Sequence, residues 1–188
     1  MVQSVELLLA PEAERDVVGV WEALRQAGLP SQSRQTSPSS RPHATLVAAA
    51  DLTTENEAAV VEAVRGRLPV EARWGEVTLF GRGPWILVRL VEPGEGMRAL
   101  QAAVAAACGV PADSPSSPDR WAAHVTLARR VAQPDVERAV DLVSERVQRT
   151  SPPGMPMVAS AVRRWDGTRR VEWVVGSAAD GADGAAQT

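Results

Sequence analysis

The chain contains two histidines, and both begin the same short motif. The motifs are HATL at 43–46 and HVTL at 124–127, so each histidine is followed by a small or apolar residue, threonine and leucine. Ordinary residue usage would place such a Thr-Leu pair behind a given histidine in about one case in a hundred. Histidine donates and accepts protons readily because its unperturbed pKa, ~6.5, lies near neutral pH. Two copies therefore indicate a site with paired acid and base groups.

Each motif lies in a short run of apolar and β-branched residues, 44–49 and 122–128, which predicts a strand. Alternate residues of a strand share one face. Each histidine and its threonine would then point to one side, and the leucine would point to the core. The threonine hydroxyls could donate hydrogen bonds to an anionic group held between the histidines.

The sequence around the second motif repeats the plan around the first. Val5 opens an apolar run 38 residues before His43, and Ile86 lies in another 38 residues before His124. A Ser/Pro-rich loop precedes each motif, and a helical pattern and a hairpin pattern follow it. We interpret this as an internal duplication, with the histidines 81 residues apart.

This order predicts an α+β fold with two pseudo-symmetric lobes of antiparallel sheet, outer helices and a central cleft. We expect one bilobal domain over residues 1–175, with repeats at about 3–84 and 85–175, and a disordered tail at 176–188. Predicted strands besides the two motif strands are 5–9, 70–80, 85–91, 158–165 and 170–175, and predicted helices are 12–27, 51–68, 97–107 and 135–148. Thr53 or Thr54 is the expected N-cap of the second helix, with Glu57 completing a capping box for Thr54.

Composition narrows the possible functions. The net charge of −3 argues against nonspecific binding to duplex nucleic acid, and the lack of lysine excludes a lysine nucleophile. The single Cys108 cannot form an internal disulfide and is expected to be a small core residue. No cysteine or histidine cluster predicts a zinc site, so we expect no metal and no cofactor. The sequence shows neither a leader nor an apolar run of membrane-spanning length, so we expect a cytoplasmic monomer with no membrane partner.

With both motifs and the duplication established, the chain resembles the two-histidine phosphoesterase superfamily, specifically its 2′-5′ RNA ligase-like branch. That family carries one His-x-Thr/Ser-apolar motif in each of two lobes around a V-shaped cleft, and the resemblance covers residues 3 to about 175. It implies that His43 and His124 are catalytic and that Thr45 and Thr126 bind phosphate. It further implies metal-free hydrolysis or 2′-5′ ligation of a 2′,3′-cyclic phosphate, with RNA ends or a small cyclic nucleotide as substrate.

The family often has an arginine two residues after the second motif, and Arg129 occupies that position. A regular strand would turn Arg129 away from His124, which lies five residues earlier, unless the strand bends or ends first. Ala123 stands where the family commonly has proline.

Other side chains have a structural and a functional interpretation. Trp21 is expected in the core, and Trp85, Trp121, Trp165 and Trp173 fit core packing better than stacking on a base. Arginines 163, 164, 169 and 170 flank a hairpin tip, which is typical of a solvated surface, although it could hold an RNA phosphate tail.

Three alternatives to the cyclic phosphodiesterase or ligase remain open. The first is a nucleotide- or RNA-binding module that keeps the cleft but has weak or no catalysis. The second is a phosphodiesterase acting on a small cyclic nucleotide or an ADP-ribose cyclic phosphate. A histidine-ligated metal enzyme is the least favoured, because two histidines supply too few ligands.

Overall fold

Strands and helices follow one another in the order that the sequence predicts. The computed structural model describes residues 3–34 and 40–181. The strands are β1 (Gln3–Leu9), β2 (His43–Ala49), β3 (Val70–Phe80), β4 (Trp85–Pro93), β5 (His124–Val131), β6 (Pro156–Asp166) and β7 (Val171–Ser177). The helices are α1 (Pro11–Gln26), α2 (Thr54–Val64), α3 (Glu95–Ala107) and α4 (Val136–Thr150), and short 3-10 turns cover Gln32–Arg34, Gln133–Asp135 and Ala178–Gly181.

Local sequence accounts for where the helices begin and end. Pro11 opens α1, where its missing N–H costs no intrahelical hydrogen bond, and Gly28 follows its end with φ 74°. The capping box of α2 is formed by Thr53 and Asn56, because the side chain of each bonds to the backbone N–H of the other. The predicted box from Thr54 to Glu57 is therefore wrong.

The seven strands form one antiparallel sheet, confirming the predicted α+β class. Along the sheet the order is β1-β2-β5-β4-β3-β6-β7, and β6 also pairs with β1. The first part of β6 pairs with β3 and the later part with β1 and β7, so six strands close into a ring. The repeats exchange strands, since β3 of the first pairs with β4 of the second and β6 of the second pairs with β1 of the first.

The helices pack in pairs that also cross between the repeats. Helix α1 packs with α4, and α2 packs with α3. Their inward faces are apolar and buried, for example Val17 and Leu24 of α1 with Val143 and Val147 of α4. These layers cover the core side of the sheet and leave its other side free at β2 and β5, where the motifs lie.

Two predicted boundaries differ from the structure. The helix predicted at 51–68 is shorter, because residues before Thr54 form its cap and Gly66 has φ 68° just after its end. Disorder predicted from residue 176 is wrong for 176–181, which complete β7 and a 3-10 turn. Residues 182–188 of that tail lie outside the described residues, as do 35–39 of the first Ser/Pro-rich loop.

Among the described residues, no helix is long and apolar enough to cross a membrane.

Gly94 follows the end of β4 and lies close to the backbone of β3. This close approach predicts that Gly94 and Gly96 tolerate alanine differently. A Cβ at Gly94 would lie 2.7 Å from the Glu71 carbonyl oxygen, whereas a Cβ at Gly96 would meet only a Val70 methyl at 3.9 Å. We expect Gly94→Ala to lower the free energy of unfolding by about 1–3 kcal/mol, since a backbone atom must move. Gly96→Ala is the matched control and should raise it by roughly 0.4–1 kcal/mol. Urea unfolding measures both, and equal effects of the two changes would contradict this packing.

Candidate active site

The strand that carries each motif contains a β-bulge at the motif leucine. Pairing of β1 with β2 slips by one residue at Leu46, and pairing of β4 with β5 slips by one residue at Leu127. Both leucine side chains are fully buried. A bulge adds a residue to one strand and changes which face the following residues occupy. Each repeat therefore turns the residues after its motif toward the face that holds the histidine.

The bulge at Leu127 places Arg129 on the face of His124 and Thr126. In a regular strand Arg129 would lie on the opposite face, but the extra residue of the bulge brings it to the face of His124. The following residue, Arg130, has φ 57°, which bends the strand further. Ala48 occupies the equivalent position in the first repeat, and both Ala48 and Arg129 line the same cleft.

The two motifs meet at a single pair of residues. Ala44 of β2 pairs with Val125 of β5 in antiparallel orientation, and both side chains are fully buried on the core face. The residues on either side of this pair point to the other face of the sheet. His43 therefore lies across from Thr126, and Thr45 lies across from His124.

A cleft of about 440 Å³ opens over this face. Its lining includes four of the five predicted site residues, His43, Thr45, Thr126 and Arg129, together with Glu6, Arg163 and Trp165. His124 is not among the lining side chains. Its ring lies on the same face of the sheet and packs edge-on against the Phe80 ring, with centroids 4.9 Å apart.

Both imidazoles are held in the same way by the chain that precedes them. His43 Nδ1 lies 2.7 Å from the Arg41 carbonyl oxygen, and His124 Nδ1 lies 2.7 Å from the Ala122 carbonyl oxygen. A carbonyl oxygen only accepts, so each Nδ1 donates its proton and the Nε2 of a neutral ring carries the lone pair. Each Nε2 is thus the atom that can exchange a proton with a substrate.

Two tryptophans fix the backbone at the motif threonines. The indole of Trp121 donates to the Thr45 carbonyl oxygen at 2.9 Å, and the indole of Trp21 donates to the Thr126 carbonyl oxygen at 3.0 Å. Each bond joins one repeat to the motif of the other. The sequence favours core packing for both tryptophans. Their role as supports could not be predicted, because it requires knowing which strand each indole reaches.

Buried charges surround His43. Glu6 Oε1 lies 3.6 Å from His43 Nε2 and accepts a 2.7 Å hydrogen bond from Ser4 Oγ. The other oxygen, Oε2, accepts from both Nε and Nη2 of Arg163 at 2.7 Å. Arg163 also bonds to Glu172. Its Nη2 lies 3.4 Å from His43 Nδ1. Both atoms are donors when Nδ1 bonds to the Arg41 carbonyl oxygen, so no hydrogen bond joins them.

These contacts keep Glu6 ionised. Burial by itself raises the pKa of Glu6, but the charges of His43 and Arg163 and the hydrogen bonds from Ser4 and Arg163 outweigh burial and hold that pKa below its ordinary value. Glu6 is not among the site residues that the sequence predicts, although a carboxylate inside an apolar strand is a detectable signal. The interpretation of Arg163 and Arg164 as solvated is wrong, because both side chains are almost fully buried.

His124 has a different environment. Burial lowers the pKa of His124 below its ordinary value; the hydrogen bond to Ala122 opposes this shift, and the charges of Arg129 and His43 add to it. An uncharged His124 is therefore favoured near neutral pH.

Within residues 3–34 and 40–181, no group of three or more His, Cys, Asp or Glu side chains is arranged to hold a metal ion. Cys108 is free and half-buried, and burial raises the pKa of its thiol to about 11, which suits a structural residue.

Several solved structures share this fold. TT0787 of Thermus thermophilus is 18% identical with a TM-score of 0.59, over 94% of this chain and 96% of that chain. Usb1 of Kluyveromyces marxianus, solved with uridine monophosphate, is 13% identical with a TM-score of 0.55, over 93% and 97%. LigT of E. coli, complexed with ATP, is 18% identical with a TM-score of 0.52, over 92% of each chain.

No curated protein matches the chain in sequence. A family model for the 2′-5′ RNA ligase superfamily matches residues 10–168, a span that includes both motifs and most of the sheet. The chain belongs to the 2′-5′ RNA ligase superfamily of two-histidine phosphoesterases.

Proposed function

We propose that this protein is a metal-independent phosphoesterase that acts on 2′,3′-cyclic phosphate ends of RNA or nucleotides. The observation that carries the proposal is the arrangement of the motifs on one face of β2 and β5. Both rings donate through Nδ1 to a backbone carbonyl, which leaves both Nε2 atoms for proton exchange. Two threonine hydroxyls and one guanidinium accompany them on that face.

Hydrolysis requires that one proton is removed from the attacking water and that one proton is donated to the leaving ribose oxygen. One imidazole removes a proton from water as the water oxygen bonds to phosphorus. The bond from phosphorus to one ribose oxygen breaks, and the other imidazole donates its proton to that oxygen. The product is a phosphomonoester with a free ribose hydroxyl. A bound 5′-hydroxyl in place of water forms a 2′-5′ phosphodiester when the 3′ oxygen departs, with the same two proton transfers.

The remaining cleft residues can hold the phosphate. Thr45 and Thr126 can donate hydroxyl hydrogen bonds to its nonbridging oxygens, where negative charge increases in the transition state. Arg129, exposed on the same face because of the bulge, can add a charge-assisted hydrogen bond. Of the four tryptophans considered for stacking, Trp165 has a side chain that lines the cleft, so we assign it to the nucleobase.

Relatives of this fold support a nucleotide ligand. The structure of Kluyveromyces marxianus Usb1 contains uridine monophosphate, and that of E. coli LigT contains ATP. A cleft of about 440 Å³ fits a ligand of that kind.

Removing either imidazole should abolish most of the turnover but weaken nucleotide binding only slightly. We expect His43→Ala and His124→Ala each to reduce single-turnover cleavage of a 2′,3′-cyclic nucleotide by ~10²–10⁴-fold, because each supplies one proton transfer. The double variant should be only slightly worse than either single one, since the two groups act as a unit. Binding titrations with a nucleoside monophosphate provide the control. Binding by the wild type with no histidine-dependent turnover would instead support the binding module.

Activity should survive a strong chelator, because side-chain proton transfer and hydrogen bonding supply the whole proposed mechanism. The measurement is the initial rate of cyclic nucleotide hydrolysis after dialysis against EDTA, beside an untreated sample. Loss of activity that one added divalent ion restores would replace the proposal with a metal-assisted reaction.

Trp165→Ala should weaken nucleotide recognition without disabling the chemistry. We expect a loss of about 1–3 kcal/mol of binding free energy for a cyclic nucleotide, the usual contribution of one base stacked on an aromatic ring. The rate constant kcat/KM for glycerol 1,2-cyclic phosphate, which has no base, should stay near the wild-type value.

The matched control is Trp85→Ala. Trp85 is half-buried, bonds to Gln133 and is not among the cleft-lining side chains. Equal losses in the two variants, or an equal loss on the substrate without a base, would rule out a stacking role for Trp165.

A further inference from the structure

The two repeats place different side chains beside their histidines. Across the sheet, Glu6 lies next to Thr45 and Arg163 lies next to Glu6. In the second repeat the equivalent neighbours are Val88 and Thr78, because Val88 lies next to Thr126 and Thr78 next to Val88. A carboxylate and a guanidinium in one repeat thus correspond to an aliphatic chain and a hydroxyl in the other. The backbone is nearly symmetric, but the electrostatics are not.

Within the group of buried and half-buried charges that contact one another beside His43, the formal charges sum to zero when its ring is protonated. We call Glu6, Arg163, Glu172 and His43 the Glu6 cluster. Arg163 bonds to both carboxylates, and its side chain and that of Glu6 are more than nine-tenths buried. Two carboxylates and one guanidinium leave one negative charge, which lies 3.6 Å from His43 Nε2 through Glu6. An imidazolium at His43 neutralises it, and buried charge strongly favours such pairing.

Other groups near His43 are cationic or already paired. The Arg41 guanidinium is paired with Glu14 on α1, and the Arg129 guanidinium lines the same cleft from β5, the strand that also carries the His124 ring. These cations oppose protonation of His43 from the cleft side, where solvent screens them more than it screens Glu6. His124 packs against the ring of Phe80, and its burial and the charge of Arg129 favour the neutral form.

We propose that Glu6 is a positioning residue that keeps the proton on His43, so that His43 is the acid and His124 is the base. This inference rests on the proposed function. In hydrolysis, His124 Nε2 takes the proton from water as the P–O bond forms. His43 Nε2 gives its proton to the leaving ribose oxygen as the old P–O bond breaks, and Glu6 stays ionised throughout. The reaction leaves the Glu6 cluster with one negative charge, which draws a new proton to His43 from solvent.

The first experiment does not require activity. Because the protein has two histidines, their imidazole signals can be followed by NMR through a pH titration in buffer without phosphate and assigned with His43→Asn and His124→Asn. In the wild type, His124 should lose its proton at lower pH than His43. In Glu6→Gln, which keeps polar atoms for Arg163 and Ser4, the midpoint of the His43 titration should fall by about one pH unit or more.

The second experiment measures kcat/KM against pH on a cyclic nucleotide. Glu6→Gln should move the alkaline limb, where the acid loses its proton, to lower pH by about one unit. At a given pH on that limb, kcat/KM should then be about tenfold lower. The acid limb, which reports His124, should stay in place. Glu6→Asp should restore the alkaline limb in part by restoring the charge.

Glu62→Gln provides the control for net charge, since Glu62 pairs with Arg65 on the exposed side of α2. It should leave both limbs and both titrations unchanged. The proposal is overturned if the acid limb moves in Glu6→Gln. It is also overturned if His124 of the wild type keeps its proton to higher pH than His43. If Glu6→Gln does not fold, the wild-type titration still decides the order. A wild type without turnover refutes the proposed function, and the titrations then test the role of Glu6 separately.

Discussion

The geometry of the cleft depends on the meeting of β2 and β5 at one residue pair. Ala44 and Val125 are small or β-branched and fully buried, so the two strands can approach closely at that point. Their neighbours on the other face are then the histidines and threonines of both motifs. The paired helices press on the core side, and the indoles of Trp21 and Trp121 hold the motif backbones from the opposite repeat. Displacement of this one contact would separate the histidine and threonine of one motif from those of the other.

The bulges at Leu46 and Leu127 reconcile two competing demands on the motif strands. The leucine must be buried, yet the residues that follow must reach the cleft. A regular strand of period two cannot place both Thr126 and Arg129 on one face, since they are three residues apart. One inserted residue satisfies both requirements. The same device in the first repeat presents Ala48, whose small side chain leaves room beside Ser4 and Trp165.

The fold and the motif residues were accessible from sequence because both leave local signals. Periodicity, turn residues and duplication predicted the element order, and the repeated motif predicted the histidines and threonines. What sequence could not show depends on pairing between distant strands. The exchange of β3 and β6 between repeats, the bulge that turns Arg129 and the burial of Arg163 beside Glu6 all follow from register, which local patterns do not specify.

The strand exchange has an implication for a chain of half this length. The first repeat alone would lose one of the two partners of β1 and both partners of β3, which would expose unpaired sheet edges. Two identical copies could complete each other by the same exchange, but every residue would then appear twice around an exact twofold axis. Both histidines would have the same neighbours, and nothing in the protein alone would distinguish a donor from an acceptor. Joining the halves in one chain removes that restriction, because Glu6 and Val88 can then differ.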